Sequence, residues 1–170
     1  MAHLVDIFEV ARRGTRVEGT LKPAELPELS KLLASEEGRL SYAAEGEGDR
    51  RGHPAARLSI EGEVFLTCTH CGKPVAVRLE SEAVFLLARS EEEANAMPIE
   101  EDAEDEDVVV GSKRFNLAEW AEEEAILTLP SAARHDACDE AEWAQTPDDE
   151  PEAPKRPNPF AALAALKTKK

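Results

Sequence analysis

The chain has 170 residues, of which 42% are hydrophobic and 33% are charged, and its formal net charge at pH 7 is −16. This length is sufficient for one domain of ordinary size and a tail, and no apolar run approaches the roughly 18 residues needed to span a membrane. Because bound phosphates must be neutralised by Lys and Arg, the acidic balance argues against a protein that binds nucleic acid over most of its surface.

The first half of the chain predicts mainly β structure. Residues 1–22 alternate weakly and indicate one or two strands, whereas the leucines of 24–34 have helical spacing and predict a short helix. Apolar residues alternate with polar ones over 40–44, and a Gly-rich turn follows. The same alternation recurs over 58–68 and 75–79, on either side of a turn that carries two cysteines, so we expect two strands joined by this turn.

Residues 91–107 form an acidic block in which ten of seventeen residues are Asp or Glu. Like charges at this density repel one another and cannot bury apolar area, so we expect a mobile loop. Val108, Val109 and Val110 then predict a short strand before Gly111.

A helix is predicted to begin after Asn116 and to run to about Leu127, because Asn116 and Glu119 have the spacing of a capping box. Leu117, Trp120, Ala121 and Ala125 share one face of this helix. Glu124 falls on the same face. Two interpretations of Glu124 remain open: a carboxylate in solvent where the helix frays, or a half-buried carboxylate paired with an Arg.

The C-terminal part changes composition twice. Residues 144–157 are rich in Pro and acid, as in a linker, whereas residues 158–170 predict a short helix. Asn158 suits the N-cap and Pro159 the first helical position. The residues expected to contact a partner are Asn158, Pro159, Phe160, Leu163, Leu166 and Lys167. This helix would either dock in a partner's groove or pack on its own domain.

Charge is distributed unevenly between the two ends. From Pro154 onward there are five bases and no acid, so the preceding 153 residues carry 15 bases against 36 acids. The basic end could approach phosphate, but the body should not lie flat on RNA. Two basic clusters in the body remain, for which ordinary surface charge is the alternative: Arg12, Arg13, Arg16 and Lys22, and Arg50, Arg51, His53 and Arg57.

Cys68 and Cys71 stand three residues apart at a predicted turn, which is the arrangement of half a zinc site. His135 and Cys138 are the candidates for the other two ligands, and the four would form one structural zinc site. A reduced turn with one cysteine facing the core is the main alternative, and His70 could replace His135. Three cysteines are too few for a disulfide scaffold, so we expect the reducing cytoplasm.

No motif of an enzyme is found in the sequence. It contains no G-x-S-x-G, no P-loop and no H-E-x-x-H, and no nucleophile, base and oxyanion donors can be grouped together. We therefore expect a protein that is not an enzyme.

Three blocks in this order resemble the YceD family, whose members are large ribosomal RNA subunit accumulation proteins. The blocks are LTCTHCGKPV over 66–75, EEEAILTLPSAARHDAC over 122–138 and NPFAALAALK over 158–167. The resemblance implies a role in the synthesis, processing or stability of 23S ribosomal RNA. It also implies that Cys68, Cys71, Glu124, His135, Cys138 and the terminal helix are characteristic positions.

The sequence as a whole predicts an α+β protein, with an antiparallel sheet, one or two packed helices, an acidic loop and a tethered C-terminal helix. We expect a domain over 1–143, a linker over 144–157 and a docking helix over 158–170. The functional hypothesis is a ribosome-biogenesis adaptor that binds an assembly or rRNA-processing protein and meets rRNA indirectly or through its basic tail. The alternative is a zinc-stabilised protein-interaction module without a direct RNA role.

Overall fold

The computed structural model describes residues 4–97 and 106–138 of the chain. Its strands are β1 (Leu4–Val5), β2 (Arg16–Leu21), β3 (Ser35–Arg50), β4 (His53–Thr67), β5 (Pro74–Ala88), β6 (Glu106–Val110) and β7 (Phe115–Asn116). Its helices are α1 (Ile7–Arg13), α2 (Pro27–Ser30), α3 (Glu91–Ala96) and α4 (Leu117–Thr128), with a short 3-10 helix at Pro23–Glu25.

Five strands form the main sheet in the order β2-β3-β4-β5-β6, and β1 pairs with β7 in a separate two-stranded sheet. Neighbouring strands are antiparallel except for β5 and β6, which run parallel. The predicted α+β class, an antiparallel sheet with packed helices, is confirmed. The parallel direction of β6 follows from the connection through α3, because the chain must turn back after β5 before β6 can run in the same direction.

The main core lies between one face of this sheet and the helices α1, α2 and α4. Alternation along β4 directs Leu58, Ile60 and Val64 to this face, and all three are almost completely buried. Helix residues such as Ile7 and Leu29 belong to the same apolar cluster. The alternation in the sequence therefore predicted the inner face of the central strands correctly.

The N-terminal segment contains a helix that the sequence analysis did not predict. Residues 1–22 were expected to contain one or two strands, and α1 lies between the two strands that they form. The Asp6 side chain accepts hydrogen bonds from the amides of Phe8 and Glu9, which fixes the first turn. Ile7, Val10 and Ala11, at helical spacing, are buried. The two strands predicted in this segment are present as β1 and β2, and only the helix between them was missed.

The helix predicted over 24–34 is shorter in the structure. A 3-10 turn precedes it, and α2 itself has only the four residues that begin at Pro27. Pro27 occupies the first helical position, where its missing amide costs nothing. The prediction was correct for the place of a helix and wrong for its length.

The acidic block of 91–107 is not a loop throughout. Glu91–Ala96 form α3, whose first turn is capped by Ser90 and carries three glutamates, a favourable charge for a helix N-terminus. Glu106 and Asp107 belong to β6. Residues 98–105 lie outside the described residues, as do the predicted linker over 144–157 and the predicted helix over 158–170.

Helix α4 agrees with the sequence analysis. The Asn116 side chain accepts a hydrogen bond from the amide of Ala118, and Leu117, Trp120, Ala121 and Ala125 are buried. Trp120 lies between two aromatic rings, with edge contacts to Phe85 and Phe115. Within the described ranges, no helix is long and apolar enough to cross a membrane.

Candidate metal centre

The turn between β4 and β5 presents Cys68 and Cys71 on one side. The Cys68 amide donates to the carbonyl of Lys73 at 2.9 Å, and the Gly72 amide donates to the carbonyl of Cys68 at 3.0 Å. Gly72 has φ +71, a left-handed conformation that glycine adopts without a Cβ penalty. This turn fixes the directions of both thiol groups before any ligand binds.

The segment that follows α4 carries the second pair of donors to this turn. The carbonyl of Ala133 accepts two hydrogen bonds from Thr69, one from its amide at 2.9 Å and one from its hydroxyl at 3.3 Å. Ala133 is buried against Leu66 and Val75, so the segment is attached by apolar contacts as well. These contacts place His135 and Cys138 beside the cysteine turn.

The four predicted ligands come together in the structure. No two of the donor atoms of Cys68, Cys71, His135 and Cys138 are more than 4.8 Å apart. The sulfur atoms of Cys68 and Cys138 are 3.7 Å apart, and the Cys71 sulfur is 3.5 Å from His135 Nδ1. A tetrahedral zinc site with Zn–S of about 2.3 Å and Zn–N of about 2.0 Å has S–S edges of about 3.8 Å and S–N edges of about 3.5 Å. The Cys68–Cys138 and Cys71–His135 distances therefore match the edges of such a tetrahedron.

The imidazole of His135 is oriented by its other nitrogen. Nε2 lies 2.9 Å from the carbonyl of Pro74 and donates to it when protonated. That hydrogen bond leaves Nδ1, directed at Cys71, as the nitrogen with the free electron pair. Metal-bound histidines characteristically have this arrangement, with one nitrogen on the metal and the other held by a carbonyl or carboxylate.

The thiol groups differ in acidity. The pKa of Cys68 falls to about 5, chiefly because the Cys71 amide donates to its sulfur, with further donation from the amides of His135 and His70. Burial raises the pKa of Cys138 to about 12, and its position beside the sulfurs of Cys71 and Cys68 adds to this effect. A hydrogen bond between the side chains of His135 and Cys68 raises the pKa of His135. A cation at the centre would favour the thiolate form of every sulfur.

The chemistry of the donor set is that of a closed site. All four corners are supplied by protein atoms, so no corner is left for water or a substrate. Cys68 is buried and the other three donors are half-buried. None of the three cysteines forms a disulfide. A metal held here would join two segments of the chain that are 64 to 70 residues apart.

Glu124 is half-buried, but its partner is not an Arg. Its carboxylate accepts a hydrogen bond of 2.6 Å from the hydroxyl of Ser81 on β5. The half-buried interpretation thus describes its position, and the expected ion pair is replaced by a neutral donor.

Among the described residues, the most deeply buried carboxylate is Glu122, which was not predicted from the sequence. Its Oε1 accepts hydrogen bonds from the amides of Glu28 at 2.7 Å and Leu29 at 2.9 Å. These are first-turn amides of α2, so Glu122 caps that helix across the fold. No local signal reveals this role, because the capped helix is 93 to 94 residues away.

The two basic clusters are largely engaged with acids. Arg57 pairs with Glu47 at 2.7 Å and with Glu82. Arg50 and Arg51 both pair with Glu106, at 3.0 and 3.2 Å. In the first cluster, the Arg13 guanidinium pairs with Glu9, and that of Arg16 pairs with Glu18 and Glu45. Ordinary ion-paired surface charge is the better description of both clusters.

The six residues predicted to contact a partner, between Asn158 and Lys167, lie outside the described residues. In comparisons with known proteins, the model of one family matches residues 56–167, a range that contains all four metal-compatible donors and these six residues. Its description is "Large ribosomal RNA subunit accumulation protein YceD". No solved structure matches the chain.

Proposed function

Because the chain belongs to the YceD family of large ribosomal RNA subunit accumulation proteins, we propose that it is a non-catalytic adaptor in the synthesis, processing or stability of 23S ribosomal RNA. The family supplies the general role in accumulation of this RNA. The adaptor mechanism is our proposal, and it is supported by the metal centre, by the charge of the body and by the composition of the tail.

The Cys₃His group is proposed to hold one structural zinc ion. Three thiolates and an imidazole favour zinc over magnesium or calcium, which prefer oxygen donors. A centre with four protein ligands can cross-link the chain but offers no open position for catalysis. We therefore assign the zinc a role in maintaining the shape of the domain, in agreement with a protein that is not an enzyme.

The observation that carries the adaptor mechanism is the pairing of the body's arginines with glutamates. Arg50, Arg51 and Arg57 each have a carboxylate partner within 3.2 Å. RNA phosphates would have to displace these partners, in a chain that already has an excess of acids. A body of this charge should meet ribosomal precursors through another molecule.

The tail is proposed to make the contact with that molecule. Phe160, Leu163 and Leu166 recur at helical spacing, and five bases follow Pro154 without an acid. Such a segment fits an apolar groove on an assembly or rRNA-processing protein, with the lysines directed towards nearby RNA. The family match extends through this segment, to residue 167. We place the protein in the cytoplasm, where its thiols would stay reduced.

The tail is best tested in the full chain, in cells that lack the native protein. Replacing Phe160, Leu163 and Leu166 by Ala removes the apolar stripe without changing charge. We expect mature 23S ribosomal RNA to fall to the level of cells without the protein, and the captured partner to be lost. A matched control, Ala161→Ser with Ala165→Ser, changes the opposite face of the same predicted helix and should retain both.

Two results would oppose this proposal. Normal 23S accumulation with the stripe removed would show that the tail is not the docking element. Salt-sensitive binding of naked RNA by a stripe variant whose five bases after Pro154 are also replaced by Gln would show that the body itself contacts RNA, in spite of its acidity.

A further inference from the structure

The two edges of the main sheet differ in chemistry. At one edge, β2 presents Arg16, Glu18 and Thr20 to solvent, and charged side chains of this kind protect an edge strand from pairing with another chain. At the other edge, β6 carries three consecutive valines. Val108 is 41% exposed and Val110 is 39% exposed, so the edge itself is apolar. Among the described residues, no strand lies beyond β6.

The backbone of β6 has hydrogen-bonding groups directed away from the sheet. The amide of Gly111 donates to the carbonyl of Ala88 on β5 at 2.8 Å, so it faces inward. Amide directions alternate along a strand, and the amides and carbonyls of Val108 and Val110 therefore face outward. These two residues can accept an additional strand without any change in the existing ladder.

The charges around β6 fit a second copy of the same strand. If two β6 strands run antiparallel about a two-fold axis at Val109, Val108 of one copy lies opposite Val110 of the other. The acidic start of one strand, at Asp107, then approaches the basic exit of the other, at Lys113 and Arg114. Glu106 is already neutralised by Arg50 and Arg51 of its own chain, so it adds little repulsion.

We propose that β6 is a self-complementary interface through which two copies of this chain form a dimer. The two main sheets would join into one continuous sheet, with reciprocal hydrogen bonds between Val108 and Val110. In a two-fold contact of this kind each interaction occurs twice. The two Val108–Val110 pairs therefore contribute four backbone hydrogen bonds, and the charged ends contribute two sets of contacts. The interface is independent of the role proposed for the metal centre and the tail.

Sedimentation equilibrium of the full chain over a range of concentrations tests this proposal. We expect a monomer–dimer equilibrium in which Val108→Pro weakens association by about tenfold or more, because it removes an outward amide from each copy. Val110→Lys should weaken it as well, since it brings like charges and a long polar side chain to the axis. Thr20→Lys, at the protected edge β2, is the matched control and should leave the equilibrium unchanged.

A charge exchange separates this interface from a general loss of structure. Asp107 and Lys113 are both exposed, so their replacement should not affect folding. Asp107→Lys alone should weaken the dimer several-fold, and Asp107→Lys with Lys113→Asp should restore it. A chain that stays monomeric at every concentration would overturn the proposal, as would a dimer that is insensitive to both valine variants and to the charge exchange.

Discussion

The main core and the metal centre are held together in different ways. Among the described residues, the main core contains twenty buried side chains from the sheet and from α1, α2 and α4. The apolar cluster at the metal centre contains only four: Leu66, Cys68, Val75 and Ala133. Burial of apolar area can therefore stabilise the first region, whereas the second has much less of it to hold the segment after α4 in place.

This difference indicates a division of labour. The sheet and its helices should fold without metal, because their contacts do not pass through the four donors. The segment from Pro130 to Cys138 should depend on metal, since it has backbone contacts to Thr69 and few apolar ones. When metal is removed, we thus expect the segment from Pro130 to Cys138 to lose its structure while the rest of the domain stays folded.

Removal of the metal should change the stability of the chain more than any substitution proposed below. If free zinc is about a thousandfold above its Kd, binding to the folded chain adds about 4 kcal/mol to the free energy of unfolding. A strong chelator should abolish that contribution while the β-sheet circular dichroism persists at 25 °C. Urea unfolding with and without chelator measures both quantities.

Two variants accompany the chelation experiment. Cys138→Ser removes one ligand, so zinc and chelator should no longer give different unfolding curves. His70→Ala changes the same turn outside the donor set and should keep one zinc per chain by metal analysis. Loss of the β-sheet signal on chelation would contradict the independence of the two regions.

A substitution in the main core should act without regard to metal. Leu58 is fully buried, and Leu58→Ala should lower the free energy of unfolding by about 3 kcal/mol, through lost burial and a residual cavity. Urea unfolding should give the same loss with zinc and with chelator, because the sites are separate. Leu127 is 80% exposed, and Leu127→Ala is the control, with an expected change within about 0.5 kcal/mol. A loss of stability that differs between zinc and chelator would show that the main core and the metal centre are energetically coupled.

Within the main core, the Glu122 cap should contribute to stability through hydrogen bonds and not through apolar burial. Glu122→Ala leaves two first-turn amides of α2 without their acceptor and should cost about 1–3 kcal/mol. Glu123 is exposed beside it, and its pKa is raised by partial burial and by the neighbouring carboxylates Glu119 and Glu122. Glu123→Ala should therefore cost nothing measurable. Equal losses from the two variants in thermal unfolding would refute the capping role of Glu122.

The smallest expected effect is at the start of α4. Asn116→Ala removes the acceptor for the Ala118 amide and should cost about 1 kcal/mol. Asn116→Ser keeps an oxygen at this position and should recover most of the loss. Because α4 leads into the second pair of donors, zinc affinity is the second measurement. An unchanged affinity would show that the cap supports the core alone.

The sequence permitted accurate prediction where the determinant was local. Alternation along β4, the N-cap at Asn116 and the spacing of Cys68 and Cys71 each depend on neighbouring residues, and each is found in the structure. We could predict that both donor pairs meet because cysteine and histidine are the usual ligands of a structural zinc ion, and two such pairs together complete four ligands. The four predicted donors are found together in the structure, and their binding of zinc stays a prediction.

The failures have two physical causes. Helix α1 was missed although Asp6, Ile7 and Val10 carry a capping and helical signal, because a weak two-residue alternation was preferred over it. Glu122 was missed for a different reason, since its partners belong to a helix more than ninety residues earlier. The sequence pattern singled out Glu124 instead, because Glu124 shares a helix face with Leu117. Long-range capping leaves no pattern within a single segment.

The separation of the donor pairs has a consequence for how the chain emerges during translation. Cys71 is made 64 residues before His135, and Cys68 is made 70 residues before Cys138. A nascent chain therefore has two of the four donors ready while β5, β6 and α4 are still to be synthesised. Full coordination can begin only after Cys138 has left the ribosome, so tight zinc uptake would report that every strand of the main sheet has already been made.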